Sequence, residues 1–311
     1  MNKVAVVIPV RNRRDLLEKC LASLSAQDFP LEQSEVFVCD DGSSVDLQAL
    51  VESFWDRIPD LRLVRTEGPR GPAAARNLGI RSSTSPIIIC LDSDIICDRS
   101  FLSKLVQAME DHPGWVAAEG TIVPSGGKGE LLEDAPVSRP GRAFLSSATA
   151  YRREALSKAG GFDEEFLLPA CEDAELAARL LTLGEFGSSA EAVAFHPVRQ
   201  VTARTHWLWR RHWRYETILA KRYGFLAFPG NDAGRVPRLR VARAAVINLP
   251  AGRLIEAFAH PRQRASSRVR AALYAVFDIL CGLCALPQIL LSSTPERRNY
   301  IEAAQQAETH G

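Results

Sequence analysis

From residue 3 to about residue 112 the chain alternates two patterns. Short runs without helical period, "KVAVVIPV" (3–10), "EVFVCD" (35–40), "LRLVRT" (61–66) and "PIIICLD" (86–92), are mostly apolar, as strands buried on both faces are. Between them lie longer segments whose apolar residues return at helical spacing: "RRDLLEKCLASLSAQ" (13–27), "DLQALVESFWDRI" (46–58), "GPAAARNLGIRSS" (71–83) and "RSFLSKLVQAMEDH" (99–112). Four strand–helix units in a row predict an α/β fold, a doubly wound, mostly parallel sheet with helices on both faces. Ligands of such sheets bind beyond the carboxyl ends of the strands.

Past residue 115 the pattern loosens. "WVAAEGTIVP" (115–124) reads as a strand and "SGGKGELLEDAPVSRPG" (125–141) as a loop; irregular stretches this long are often functional. A strand and a short helix ending at Gly160-Gly161 follow, then a helix through "PACEDAELAARLLTLG" (169–184) ending at Gly184, and a last strand "EAVAFHPV" (191–198).

Acids stand where strands leave the core. "VFVCDDGSS" ends in Asp40 and Asp41, and "IIICLDSD" in Asp92 and Asp94. Turn and helix-cap chemistry explains Ser43, Ser44 or Asp46 but not two adjacent carboxylates, which points to function. Were the backbone extended through 92–94, both carboxylates would share one face; Asp98 reads as a cap or turn residue. The stretch "EGPRGPAAARNLGI" (67–80) puts Gly, Pro, Arg70 and Arg76 around a helix start. That is equally a phosphate cradle or a capped helix with a surface arginine. It is neither a Walker loop nor a G-x-G-x-x-G fingerprint. Glu172, Asp173 and Glu175 fall in a first helical turn, where acids favour the dipole; Asp173 is also the candidate base. His196 ends the last strand, a position suited to a ligand.

Composition narrows the class. With 46% hydrophobic residues in 311, the chain can bury one large domain and an appendage. Met1-Asn2-Lys3 runs straight into "VAVVIPV", so no signal peptide is expected. The seven cysteines are odd in number, scattered and mostly within apolar runs, as buried free thiols of a reducing compartment would be. "CGLC" (281–284) reads as helix packing more than as a redox or metal pair.

The net charge of +1 conceals an asymmetry. Residues 1–198 hold 20 Lys+Arg against 30 Asp+Glu, a net −10, and residues 199–270 hold 16 against 3, a net +13. A basic block behind an acidic domain suggests an anionic partner. No nucleic-acid motif accompanies it, so a membrane surface is expected and nucleic acid is not.

In order, "VVIPVRNR", "VCDDGSS", "GPAAARNLGI", "LDSD", "GGFDEEF" with "CEDAELAARLLTLG", and "AFHP" resemble the family 2 glycosyltransferases, which have the GT-A fold. The resemblance covers roughly residues 3–198. It implies an inverting, divalent-metal-dependent transferase moving a sugar from a nucleotide-diphosphate sugar to a hydroxyl acceptor, a lipid-linked or cell-envelope glycan being one such acceptor. By resemblance, Pro9 to Arg11 lie along the nucleotide, Asp41 reads its base and Arg76 stands near the diphosphate. Asp92 and Asp94 match the D-x-D motif, with Asp94 on a Mn²⁺ or Mg²⁺ ion and Asp92 on the ribose or the ion's waters. Asp173 matches the acid that takes the acceptor proton. His196 falls where many relatives carry a third metal contact, and His206 is its rival. A sugar-phosphate nucleotidyltransferase, or a silent membrane-bound scaffold, are the alternatives; "PVRNRRD" fits the first poorly, and the presence of Asp41, Asp94 and Asp173 speaks against the second.

The catalytic domain is expected over 1–205 and a helical, membrane-associated extension over 206–311. "HWLWRRHWRYETILAKRYG" (206–224) holds three tryptophans, two tyrosines and many cations, a mixture typical of membrane interfaces and equally suited to a helix covering the acceptor site. "RRHWR" lacks the Gln of the Q-x-x-R-W of processive relatives, so no polymer synthesis is expected. "AALYAVFDILCGLCALPQILL" (271–291) could span a bilayer, but Asp278 and Pro287 interrupt it, so a re-entrant or interfacial helix is as fitting. The arginines before it favour the cytoplasmic face of the membrane.

Overall fold

The computed structural model describes residues 3–125, 133–134 and 145–203, with positions 205, 215, 218–219, 222, 269, 272–274 and 276 beyond them. The chain forms two compact units, one of Met1–Ser125 with Pro136–Pro197 and one of Gly126–Ala135 with Val198–Gly311. In the first unit the described elements are β1 (Val4–Val10), α1 (Arg14–Leu24), β2 (Ser34–Asp40), α2 (Gln48–Glu52), β3 (Leu61–Arg65), α3 (Pro72–Ser82), β4 (Ile87–Leu91), β5 (Ile96–Cys97), α4 (Phe101–Asp111) and β6 (Trp115–Ser125). After β7 (Glu133–Asp134) of the second unit come β8 (Ala148–Arg152), α5 (Arg153–Ala159), α6 (Glu172–Leu180) and β9 (Glu185–Pro197).

The first unit is built on one sheet in the order β3-β2-β1-β4-β8-β6-β9-β5. The β1–β2, β1–β4, β2–β3 and β6–β9 pairs are parallel, while β8 runs against β4 and β6, and β5 against β9. The sheet is thus mixed and mostly parallel. Its strands alternate between two cores. Val4, Val6, Ile8, Val36, Val38, Ile87 and Ile89 face one core, built with α1, α2 and α4. Their neighbours Ala5, Val7, Phe37, Cys39, Ile88 and Cys90 face the other, built with α3, α5 and α6. This period of two on strands apolar on both faces is why β2 and β4 are buried at every position. Cys20, Cys39, Cys90 and Cys97 are buried free thiols, and burial pushes each well above the usual thiol range.

The register brings strand ends to one edge. Val10 pairs with Asp40, and Asp40 with Arg65. Cys90 lies opposite Val7, so β4 ends beside β1. Residues following Val10, Asp40 and Leu91 therefore emerge together.

Three expectations need correction. The helix expected over 46–58 is helical only over Gln48–Glu52; beyond it the chain closes three-residue turns, Phe54 N to Val51 O and Arg57 N to Phe54 O. The helix expected to run to Gly184 ends at Leu180, followed by turns through Leu183. The last strand begins at Glu185, because parallel pairing with β6 recruits the stretch 185–188 that has no strand pattern of its own.

In the second unit, β7 pairs antiparallel with β10 (Arg199–Gln200). Positions 203 and 205 are helical, and Thr202 and Thr205 each accept the other's backbone N–H through their side-chain oxygens, at 3.1 and 2.8 Å, a reciprocal cap. Of the sequence expectations, His206, most of the Trp/Arg-rich stretch 206–224 and most of the apolar stretch 271–291 lie outside the described residues. Among those described, no helix is long and apolar enough to cross a membrane.

Helix α3 presses unusually close to the sheet. A methyl at Gly79 would lie 2.5 Å from Cys39 Sγ and 2.7 Å from Val7 Cγ1. In an open helix, Gly→Ala gains about 1 kcal/mol, while overpacking a filled core costs about 1–3 kcal/mol. Gly79→Ala is therefore expected to lower the melting temperature in scanning calorimetry, against the helix-propensity trend.

Candidate active site at the strand ends

The loop after β1 is stitched to the loop after β2. Asn12 adopts a left-handed backbone (φ 54°), which asparagine tolerates better than most residues. Its N–H donates to Ser43 Oγ at 3.0 Å, and its Oδ1 accepts from Ser44 N at 2.7 Å. Pro9 is half-buried at the end of β1 and Arg11 is exposed just beyond it. Arg13, which the sequence did not single out, donates to Asp94 Oδ2 at 2.7 Å.

The two acids after β2 do different work. Asp40 accepts from Ser43 N at 2.8 Å and lies 3.5 Å from Arg65 Nε, so turn chemistry accounts for it. Asp41 accepts from Arg70 N at 2.6 Å and from Gly71 N at 3.0 Å. Two N–H groups of the 67–80 stretch, both before α3, are thus given to a carboxylate. Gly71 has φ 91°, and a Cβ there would lie 2.6 Å from the Leu167 carbonyl. Only glycine lets the 66–71 loop lie against the segment that leads into α6.

Arg76 is closed off from solvent at 3% exposure. Its Nη1 donates to Glu172 Oε1 at 2.9 Å and its Nη2 to Asp92 Oδ1 at 2.8 Å, and its guanidinium lies 5.3 Å from the Phe162 ring. The expected cation beside a phosphate is thus a buried tie between two acids. Its neighbour Asn77 holds Phe162 through both backbone groups, at 2.8 and 2.9 Å.

After β4 the backbone does not stay extended. Ile95 N bonds Asp92 O at 3.1 Å, so residues 92–95 form a turn and the two carboxylates part. The Asp92 side chain is one-third exposed and paired with Arg76, while Asp94 is fully buried with Arg13. His196 Nε2 lies 3.4 Å from Asp94 Oδ1, and its Nδ1 lies 2.8 Å from Pro197 O. The carbonyl can only accept, so Nδ1 carries the hydrogen and Nε2, the nitrogen turned to the carboxylate, is the one that could serve a divalent cation. Oxygen and imidazole donors suit Mn²⁺, and Mg²⁺ commonly takes few protein ligands beside phosphate oxygens. Asp94 and His196 fit such an ion as a pair; among the described residues no group of three or more candidate ligands occurs. Asp98 bonds Ser100 N at 3.1 Å, the turn role expected of it.

Helix α6 follows Cys171, whose backbone is left-handed (φ 68°). Of its three early acids, Glu175 is buried against Arg179 on the same helix. Glu172 turns to Arg76. Asp173 is half-buried, with Oδ1 accepting from Ala174 N at 2.8 Å. Burial, and then the charge of Glu172, push the Asp173 carboxyl up to about 7. Burial also raises Glu172, against the pull of Arg76.

The sequence stretches named as candidates thus meet in two clusters, Asp92–Arg76–Glu172 beside Asp173 and Arg13–Asp94–His196, joined by the turn at 92–95. Arg13 and Glu172 are the members that sequence reasoning missed. Arg13 ends the stretch "VVIPVRNR" with nothing local to mark its partner, and a favourable place at a helix N-terminus is reason enough for Glu172.

Comparison with known proteins gives the same frame. The family described as Glycosyl transferase family 2 matches residues 5–156. The chain is 35% identical over 124 residues to an N-acetylglucosaminyltransferase of Bradyrhizobium elkanii, covering 39% of this chain and 67% of that protein. It spans about a third of the length of other curated relatives, 35% of one and 31% of another. The fold is similar to S. aureus TarS in complex with UDP-GlcNAc, with a TM-score of 0.61 and 16% identity over 99% of this chain and 92% of that one. It is also similar to the mannosyltransferase PcManGT of Pyrobaculum calidifontis in complex with GDP-Man and Mn²⁺, with a TM-score of 0.57 and 21% identity over 99% and 87%. With a strand-end site assembled from the motif stretches and a relative matched over two-thirds of its length, the chain belongs to glycosyl transferase family 2.

Proposed function

We propose that the chain is an inverting, divalent-metal-dependent glycosyltransferase that moves a sugar from a nucleoside diphosphate sugar to a hydroxyl acceptor. The observation that carries this reading is the buried Asp92–Arg76–Glu172 tie, which joins the D-x-D stretch to the helix of Asp173. The donor class is supported by the UDP-GlcNAc and GDP-Man bound to the two structural neighbours.

An acceptor hydroxyl is a weak nucleophile until a base within reach takes its proton. Asp173, half-buried and titrating at about 7, has the basicity for this near neutral pH. As its carboxylate takes the proton, the acceptor oxygen bonds to the anomeric carbon. The bond from that carbon to the diphosphate oxygen breaks, and the nucleoside diphosphate leaves with the electron pair. One base and no enzyme nucleophile means inversion. Pro9, Arg11 and Asp41 line the nucleotide side, Asp92 the ribose side, and Arg76 holds Asp92 from beneath. Asp94 and His196 would hold the divalent ion, which supplies Lewis-acid charge against the departing diphosphate. The net +13 of residues 199–270 supports an anionic membrane surface at the cytoplasmic face, and with it a lipid-linked or cell-envelope glycan as acceptor.

Thermal shift against a set of nucleotide sugars with Mn²⁺ tests the donor. The matching one is expected to stabilise the protein by about 2.7 kcal/mol at a hundredfold excess over Kd, less strongly in chelator, and no shift with any donor would overturn the reading. Asp173→Asn is expected to lose about 10²–10⁴-fold in transfer rate while keeping the donor-induced shift. Normal transfer by that variant, with donor and metal supplied, would sink the base assignment.

A further inference from the structure

We infer that Glu172 is a positioning residue for this reaction: tied by Arg76 to Asp92, it holds a negative charge against Asp173 and so governs when Asp173 can take a proton. The inference rests on Asp173 being the base.

The geometry is that of a fixed charge beside an adjustable one. Glu172 is 3% exposed and accepts from Arg76 Nη1 at 2.9 Å, a charge-assisted bond of the strong kind. Asp173, the next residue, accepts from Ala174 N and keeps an open side. Two adjacent carboxylates in a half-dry place do not ionise equally. The one paired with a buried guanidinium ionises first, and its charge then opposes the second. Arg76 cannot relieve both, because its other arm is given to Asp92 at 2.8 Å.

The charged and titratable groups around the two acids act in both directions. On its own helix stands Glu172, whose charge acts after burial to raise Asp173. From α3, Arg76 lowers it. From β8 comes the Tyr151 phenol, buried and held well above its ordinary range, so neutral in the working range. Asp92, across the guanidinium, acts on Glu172 in the same sense as burial. The helix N-terminus favours both acids of α6 and does not discriminate between them.

The test is the pH profile of kcat/KM for the acceptor, whose acid limb reports the base of the free enzyme. Glu172→Gln keeps the shape and removes the charge, so the limb is expected to move to lower pH and the activity at pH 6 to rise roughly several-fold relative to the plateau. Glu172→Asp keeps the charge, so its limb is expected to stay in place while the rate falls. A limb unmoved in Glu172→Gln, or moved equally in both variants, overturns the inference. Glu172→Gln leaves Arg76 half-paired and can fail to fold, so carboxyl carbon-13 titration of the unmodified protein gives a second reading. The Asp173 signal, identified by its loss in Asp173→Asn, is expected to show a second step coinciding with the ionisation of Glu172, as coupled groups do. A single independent step overturns the inference. An unmoved limb with inactive Asp173→Asn condemns this inference alone, whereas active Asp173→Asn condemns the base reading beneath it.

Discussion

The guanidinium of Arg76 carries a full charge where water scarcely reaches. Burial works against that charge, but Asp92 and Glu172 outweigh it and hold the group protonated. Removing one partner of a buried ion pair typically costs about 3–5 kcal/mol, since the other charge is left uncompensated. The three residues come from α3, from the turn after β4 and from the start of α6, separated by 16 and 96 positions along the chain. One side chain therefore fixes the distance between what we assign as the donor side and the acceptor side of the site.

The sheet makes that tie possible. β1, β2 and β4 run parallel in nearly matched register, so their following loops share one edge. The antiparallel β8 lies beside β4, and Asp92 N bonds Ser147 O just before β8. The acid turn is thus anchored on both flanks. Asn12 and Asp41 add local stitching, through Ser43 and Ser44 on one side and Arg70 and Gly71 on the other. These contacts use polar groups that would otherwise be stranded at a half-buried edge.

Legibility followed physical scale. β1, β2 and β4 could be read because a strand buried on both faces has little choice of residue. The acids at their ends could be read because carboxylates beside such runs need a reason. What each acid touches could not be read. Arg13 meets Asp94 across 81 positions and Arg76 meets Glu172 across 96, and no local pattern encodes such pairings. Local chemistry was also incomplete: a helix dipole was a sufficient reason for Glu172, and nothing local told that Asp41 takes the N–H groups of Arg70 and Gly71 just before α3. The first half of β9 and the short α2 show the same limit, because pairing with β6 made one and turn closure ended the other.

The tie at Arg76 also bears on divisibility. The segment matched by the family description stops at residue 156, sixteen positions before Glu172. It also stops before β9, which lies between β6 and β5 in the sheet. A fragment cut at that boundary would keep the motif stretches as far as "LDSD" but lose those of α6 and β9, bare a sheet edge and strand half of a buried charge pair. The part matched by the family description is therefore smaller than the part that the sheet and the Arg76 tie hold together.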